Sequence, residues 1–522
     1  MLRKISLSPL ILGVNMLQQD CQLDKEVCRK ARLARDPRFD GQFFIGVLTT
    51  KIYCRPICPA VSPKEQNVRY FDSAQQAACV GLRPCLRCRP DSAPRSYAWQ
   101  GTQTTLNRAK ALIDAGVLSG PEGQSVETLS ERLGISSRYL RKLFNDKMGI
   151  SVKGYNQYRQ LLLAKQLLHQ TELSITQVAF AAGFTSIRRF NETFQQTLQL
   201  TPSELRKRTA KSQQNHQANN DVTVNSVNSA NNSIGVVALK LQMSFRPPFS
   251  WAKQHHFYQV RAVSEMEWLD DELSYGRSFT INEVSGYFSA RLDASRHLFN
   301  VEIVLENESG LTQLGAVING IRRVLDLDAN ISQIDNVLET ITPLAEQMSQ
   351  GLRLPGVWSV FEAGCRAVLG QQVSIVQASK LLNQLVLAYG EERLIGDKYV
   401  KLFPTPEAIA IAELTELKMP VARKKALNAL AQFVDKNTHA EPDLWIAIKG
   451  IGPWTIAYAK MRGLSDPNIL LCGDLVVKKR VLALYSEQAE YNDYDYLAIS
   501  QQLAQKSAPW GSYLTFHLWN LS

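Results

Sequence analysis

Four of the nine cysteines in this 522-residue chain fall in two close pairs, Cys54-Arg-Pro-Ile-Cys58 and Cys85-Leu-Arg-Cys88. C-x3-C, a gap of 26 residues, then C-x2-C suits tetrahedral zinc, which takes four thiolates. Unrelated buried cysteines are the plain alternative. Arg55, Arg69, Arg83, Arg87 and Arg89 crowd these ligands, so the site is expected to face a polyanion. Cys21, Cys28 and Cys79 lack such pairing and read as ordinary core or surface thiols; an odd cysteine count without a clear secretory signal argues against a disulfide framework. A second constellation lies far downstream. Gly450-Ile-Gly452-Pro453-Trp454 is a tight G-x-G turn opening a helix, and glycine there lets backbone N–H groups approach a phosphate. Asp474 follows 22 residues after Gly452 and, taken alone, reads as a helix N-cap.

The elements that must position these groups follow from pattern. Residues 1–210 hold 31 Lys/Arg against 16 Asp/Glu, whereas the remainder is slightly acidic, which points to nucleic acid as partner of the N-terminal part. The plain alternative is a solvated surface. A composition 45% hydrophobic and 20% charged is globular. No run of about 18 uncharged apolar residues occurs, which excludes a membrane-spanning helix. The opening MLRKISLSPLILGVNM is broken by Pro9 and lacks a cleavage site, so it reads as a disordered leader or as sequence before a true start at Met16, and the protein is placed in the cytoplasm.

The boundaries expected are 17–92 for the zinc domain, 103–210 for a helical domain, 211–235 for a flexible Asn/Gln/Ser-rich linker, 238–345 for an α+β subdomain and 346–522 for a helical remainder. A weaker break rich in Pro and Ser spans 90–103. The fold class is therefore multidomain and mainly α with α+β parts. Phe43–Thr50, Val68–Phe71, Leu239–Phe245, Gly286–Leu292 and Leu298–Leu305 read as strands, and the pattern from about 311 onward reads as helical to the end. Ser125–Gly134 followed by Ser136–Phe144, and Ser174–Phe184 followed by Thr185–Phe194, each read as a capped helix, a glycine turn and a short basic helix. Two such units joined by a helix over about 152–169 suit major-groove readers, with a generic helical bundle as alternative. Arg138, Arg141, Lys142, Ser186, Arg188 and Arg189 are the candidates for base or phosphate contact.

Three resemblances sharpen this reading. "GQFFIGVLTTKIYCRPICPA…NVRYF…GLRPCLRC" resembles the N-terminal domain of the Ada adaptive-response family. That resemblance implies that Cys54, held on zinc with Cys58, Cys85 and Cys88, takes a methyl group from a methyl phosphotriester in DNA, stoichiometrically. "AFAAGFTSIRRFNETFQQTLQLTPSELRK" resembles the AraC-type regulators. "LQMSFRPPFSW", "QVRAVS", "LRLPGVWSVFEAGCRAVLGQQVS", "KGIGPWTIAYAKMRG" and "PWGSYLTFHLW" resemble the helix-hairpin-helix DNA glycosylases of AlkA type. There the resemblance implies Asp474 as catalytic carboxylate, Trp454, Tyr458, Trp510 and Phe257 as base-pocket rings, Gly450 and Gly452 as phosphate-binding hairpin and Gln372 at the wedge position. Trp454 stands where lyase-type relatives carry a Schiff-base lysine, which implies a monofunctional 3-methyladenine glycosylase. No Pro-Cys-His-Arg motif is present, so reversal of O6-methylguanine is not expected. The partners implied are double-stranded DNA and RNA polymerase, with no membrane and a monomeric chain. The alternatives are a regulator whose glycosylase half only binds DNA, and a glycosylase whose N-terminal half only anchors it.

Overall fold

The computed structural model describes residues 24–36, 39, 43–58, 60–71, 77, 80, 82–85, 88, 105–106, 108–110, 112–114, 116–120, 123–208, 235–437, 440–485 and 493–521. The expectations for the leader and Met16, the break at 90–103, the linker up to 234, Cys21, Cys79, Arg87 and Arg89 lie outside these residues. The chain forms two compact units, residues 1–111 with 133–149, and residues 112–132 with 150–522.

In the first unit, helix α1 (Lys25–Ala34) is N-capped by Asp24, whose carboxylate accepts from the backbone of Glu26 and Val27. Strands β1 (Phe44–Val47), β2 (Ile52–Cys54), β3 (Val68–Phe71) and β4 (Arg83–Pro84) make one sheet in the order β3-β1-β2-β4. Side chains alternate across it. Ile45 opposite Tyr70 shares one cluster with Cys28 and Ala31 of α1, while Phe44 opposite Phe71 shares another with Tyr53 and Leu82. Cys28 is thus a core thiol, as its spacing suggested. Among the described residues these are two small cores, each large side chain contributing roughly 1.5–3 kcal/mol on burial, and a metal cross-link would add to them.

The helix-turn-helix pattern is realised by α2 (Val126–Arg132), α3 (Ser137–Met148), α4 (Val152–Gln170), α5 (Ile175–Ala181) and α6 (Ile187–Leu198). Ser136, Ser151, Ser174 and Ser186 cap the last four through their hydroxyls. Gly183, at φ +84°, makes the turn between α5 and α6; a Cβ there would sit 2.7 Å from the Cβ of Ser119.

In the second unit, β5 (Val237–Ser244), β6 (Glu267–Trp268), β7 (Ser274–Ile281), β8 (Val284–Asp293) and β9 (Leu298–Leu305) form an antiparallel sheet in the order β5-β9-β8-β7-β6. Helix α7 (Trp251–Gln259) lies between β5 and β6 in sequence, and α8 (Leu314–Val324) buries Leu314, Val317, Ile318 and Ile321, an i, i+3, i+4 stripe, in the core shared with Phe279, Phe288 and Ile303. The remainder holds α9 (Ile331–Leu338), α10 (Val360–Gly370), α11 (Ile375–Tyr389), α12 (Pro406–Ile411), α13 (Val421–Lys436), α14 (Pro453–Gly463), α15 (Leu475–Tyr485), α16 (Asp493–Ser507) and α17 (Gly511–Trp519).

The stretch after 311 is not wholly helical as expected, because Glu392–Ile395 and Lys398–Lys401 pair as the hairpin β10–β11. The segment before the G-x-G turn is helical, a 3-10 helix over Pro442–Ala447 with Pro442 at its start.

Candidate active site and metal centre

The side chains of the C-terminal constellation come from α7, α10, α14 and α17, from the turn after α7 and from the loop that ends at Asp474. Helix α14 begins at Pro453 straight after Gly452 and projects Trp454 and Tyr458, one turn apart, from one face. Their rings lie 5.4 Å apart. Helix α17 contributes Phe516 and Trp519, and α7 contributes Phe257, whose ring stacks on Trp519 at 6.2 Å and 15°. A cavity of about 220 Å³ opens among Trp454, Tyr458, Trp519, Asp474, Arg261 and Arg366.

Asp474 ends a tightly held loop. Ser512 and Thr515 of α17 accept from the backbone N–H groups of Ile469 and Leu471, and the hydroxyl of Tyr496 donates to the carbonyl of Cys472. The carboxylate then does two things at once. Its Oδ1 accepts from the backbone N–H of Val476 (2.9 Å) and Val477 (3.1 Å), capping α15. It also accepts indole N–H groups, from Trp454 at Oδ2 (3.1 Å) and from Trp519 at Oδ1 (3.2 Å). Four donors fix its orientation at the cavity wall.

Behind the cavity sits a buried ion network. Arg366 donates to Glu267 (2.9 Å) and Glu362 (2.9 Å), and Arg277 donates to Glu362 at 2.8 Å. Burial raises the Glu362 carboxyl, but Arg277 and Arg366 outweigh that and hold it at about 2. Arg261 reaches the cavity without a carboxylate within ion-pair distance among the described residues. It stacks 3.8 Å from the centre of the Phe257 ring, and burial lowers it to about 10.

Gly450 (φ +95°) makes the hairpin turn, and a Cβ there would meet Ala426 at 2.9 Å. Nothing lies within 4 Å of a Cβ built on Gly452, so the backbone at the start of α14 is open to a ligand. Gln372 is exposed in the turn between α10 and α11 at φ +56°, and its neighbour Gln371 donates to the Gly450 carbonyl and to Thr455, both at 3.1 Å. The turn and the hairpin are therefore tied together.

Of the expected pocket rings, Trp454 and Tyr458 line the cavity and Phe257 backs it. Trp510 does not line it: it stands at the N-cap of α17 and packs against Tyr513. The ring that reaches Asp474 is Trp519, nine residues on, with Phe516 on the same face of the helix. Trp519 and Arg261 are the residues that sequence reasoning missed. The i, i+3 spacing of Phe516 and Trp519 was the available signal for the first.

In the first unit, the sulfurs of Cys54, Cys58, Cys85 and Cys88 all lie within 4.8 Å of one another. Four thiolates at about 2.3 Å from a tetrahedral zinc would be roughly 3.8 Å apart, so the donor set fits that ion. The Cys54–Cys88 hydrogen bond, burial and the neighbouring sulfurs push the Cys54 thiol well up, whereas the same bond holds Cys88 at about 5. Such mutual frustration of charge is what a dication relieves. The Arg55 backbone N–H also donates to Cys88 Sγ at 3.4 Å, and its guanidinium donates to the Cys88 carbonyl. Arg138, Arg141 and Lys142 stand exposed on α3; Ser186 caps α6, where Arg188 and Arg189 are exposed.

Three domain families match the chain: the metal binding domain of Ada over 27–91, a helix-turn-helix domain over 129–208 and the AlkA N-terminal domain over 240–359. A Mycobacterium tuberculosis protein described as "Probable bifunctional transcriptional activator/DNA repair enzyme AlkA" is 33% identical over 512 residues, which is 95% of this chain and 96% of the relative. The chain belongs to this bifunctional AlkA family. It joins an Ada-type metal-binding domain, a helix-turn-helix domain and an AlkA N-terminal domain in one polypeptide. Its parts also match separate proteins. The "DNA-3-methyladenine glycosylase 2" of Escherichia coli is 31% identical over 53% of this chain and 95% of that protein. The "Regulatory protein ada" of Salmonella typhimurium is 31% identical over 37% of this chain and 52% of that protein. Among the described residues no helix is long and apolar enough to cross a membrane.

Proposed function

We propose that the C-terminal half of this chain hydrolyses the N-glycosidic bond of alkylated purines such as 3-methyladenine in DNA. The observation that carries this is the Asp474 carboxylate, oriented by two indoles at the wall of an aromatic cavity. An alkylated purine is cationic and leaves easily. As the bond from C1′ to the base nitrogen breaks, its electron pair goes to the base and positive charge grows on the sugar. Asp474 stabilises that charge electrostatically and orients the water that adds to C1′ and loses a proton. The nucleotide must first leave the helix. The hairpin backbone from Gly450 to Gly452 grips a phosphate and Gln372 fills the gap. Trp454, Tyr458 and Trp519 favour a cationic over a neutral base, by about 0.5–2 kcal/mol per desolvated ring. Among the described residues no lysine lines the cavity, which supports a monofunctional enzyme that leaves an abasic site.

In the N-terminal part, Cys54 takes a methyl group from a methyl phosphotriester: a sulfur–carbon bond forms, the carbon–oxygen bond breaks and the phosphodiester leaves as an anion. When bound, zinc supplies the charge that keeps the sulfurs deprotonated at neutral pH. Four thiolates on a dication carry about −2, and methylation leaves about −1, which strengthens binding to phosphates. The methylated protein then activates transcription through the two helix-turn-helix units, by contact with RNA polymerase, as a cytoplasmic monomer. The alternative, a glycosylase half that only binds DNA, gives no reason for Asp474 to be held by two indoles at a cavity. The test is incubation with a duplex holding one 3-methyladenine. Free base with an intact strand supports the reading; a nicked strand rules out the monofunctional assignment, and an unchanged duplex rules out excision.

A further inference from the structure

One edge of the five-stranded sheet, that of β5, is covered by helix α4. Strand β5 is an edge strand, and such edges leave backbone N–H and C=O groups unpaired. On its inner side Gln242 pairs with Asn300 of β9. Towards α4, the Gln242 N–H donates to Gln170 Oε1 at 2.9 Å, and Gln166 Nε2 donates to the Gln242 carbonyl at 3.4 Å. Gln166 and Gln170 lie one turn apart on one face of α4, and Gln166 Nε2 also lies 3.4 Å from Gln170 Oε1. Two linked side-chain amides thus take the place of a neighbouring strand's peptide group.

Three further contacts extend the same face. A Cβ built on Gly315 of α8 would lie 3.0 Å from Leu163 Cδ2, so the absence of a side chain at 315 admits the leucine. Gln177 of α5 uses its side-chain oxygen in the Ser174 capping box, and its Nε2 donates to Glu308 at 2.7 Å. The Asn319 side chain of α8 donates to the carbonyl of Asp114, whose carboxylate pairs with Arg159 of α4 at 2.7 Å. Apolar packing is continuous across the seam, from Leu161 and Phe184 to Leu241 and Leu314. The seam also carries a polar cleft of about 680 Å³ bordered by Asp114, Arg159, Gln313 and Asn319, so it is partly wet.

We propose that this face of α4 and α5 is an intrachain docking surface whose occupant is the β5 edge with α8. The second helix-turn-helix unit is then a resident partner of the AlkA-type half, not a module hanging on the segment 209–234. Tethering puts the two faces at an effective concentration on the order of mM, so a few specific bonds suffice to keep them together. The consequence is that helix α6 and the base cavity travel as one body, and a lesion is presented at a fixed offset from the groove that α6 reads.

The proposal concerns geometry alone and stands whether or not the protein excises bases. Non-cysteine spin labels at exposed Gln196 of α6 and Lys436 of α13, in the full-length protein, give the distance between the two by pulsed dipolar spectroscopy. One narrow distance is expected, broadening in the triple variant Gln166→Glu, Gln170→Glu, Gly315→Leu. A broad distribution in the unsubstituted protein, or a narrow one that the triple variant leaves unchanged, overturns the proposal. A milder variant guards against misfolding. Gln170→Ala in the otherwise native chain is expected to speed hydrogen exchange at the Gln242 amide by roughly tenfold or more while leaving Asn300 unaffected; equal exchange in the two proteins overturns the assigned contact.

Discussion

Replacing Asp474 with asparagine removes one charge and little else. Asparagine is as good an N-cap as aspartate, so α15 keeps its bonds from Val476 and Val477. The indole N–H of Trp454, which donates to Oδ2, would then face the amide NH2, a local loss in a half-exposed place, while Trp519 keeps the Oδ1 acceptor. The kinetic effect is far larger. A carboxylate about 4 Å from a unit positive charge, at an effective dielectric near 20, contributes about 4 kcal/mol. Four donors already draw on the charge of Asp474, so about 3–4 kcal/mol is the expected loss at the transition state, or between two and three decades in rate. Single-turnover excision from a duplex with one alkylated purine measures this directly, because binding and product release drop out. Affinity for an abasic-site duplex, where no base leaves, should change by no more than a few fold. A rate loss under tenfold, or a matching loss in abasic-site affinity, would refute the electrostatic role.

The other expectations concern the rings, the buried ions and the sulfurs. Trp519→Ala removes a pocket face and a hydrogen bond to Asp474, together about 1.5–3 kcal/mol, so single-turnover excision should fall at least tenfold while Trp510→Ala changes it little; the reverse ranking would restore Trp510 to the pocket. Glu362 is held at about 2 against an ordinary 4.5, so it contributes stability fully present above pH 4.5 and lost as pH falls towards 2. Glu362→Gln strands Arg277 and Arg366 beside Glu267 alone and should cost about 3–5 kcal/mol at pH 7, a deficit that shrinks in urea unfolding at pH 3.5; a deficit that does not change with pH would contradict the ion-pair account. Cys58→Ser should abolish stoichiometric zinc and lower the melting transition of the first unit, with excision of 3-methyladenine retained; full zinc content in this variant would dismiss the four-sulfur site.

Much of this was legible because the signals were local. The two cysteine knuckles specify a cluster by spacing alone, and Leu298–Leu305 carries its strand in its own residues. What stayed hidden depends on distant partners. Strand β7 contains Arg277, which looks like a surface residue until Glu267 and Glu362 bury it, so Ser274–Ile281 gives no clean alternation. The hairpin β10–β11 is short, charged and half exposed, with Leu394 and Tyr399 facing out, and its pattern merges into the flanking helices. Choosing between Trp510 and Trp519 needs the phase of α17 relative to Asp474, which only the packing of Ser512 and Thr515 against the 466–472 loop supplies. Asp474 itself reads as a cap and is one; that it also accepts two indole N–H groups appears only when Trp454 and Trp519 converge on it.

One polypeptide is proposed both to record and to remove alkylation, through separate groups. The direct measurement uses duplex DNA bearing both methyl phosphotriesters and N-methylated purines, with mass spectrometry of the Cys54 peptide and chromatography of released bases in the same reaction. One methyl on Cys54 together with free methylpurine is expected, and in Asp474→Asn the first without the second. An unmodified Cys54, or base release that persists undiminished without the Asp474 carboxylate, would contradict it.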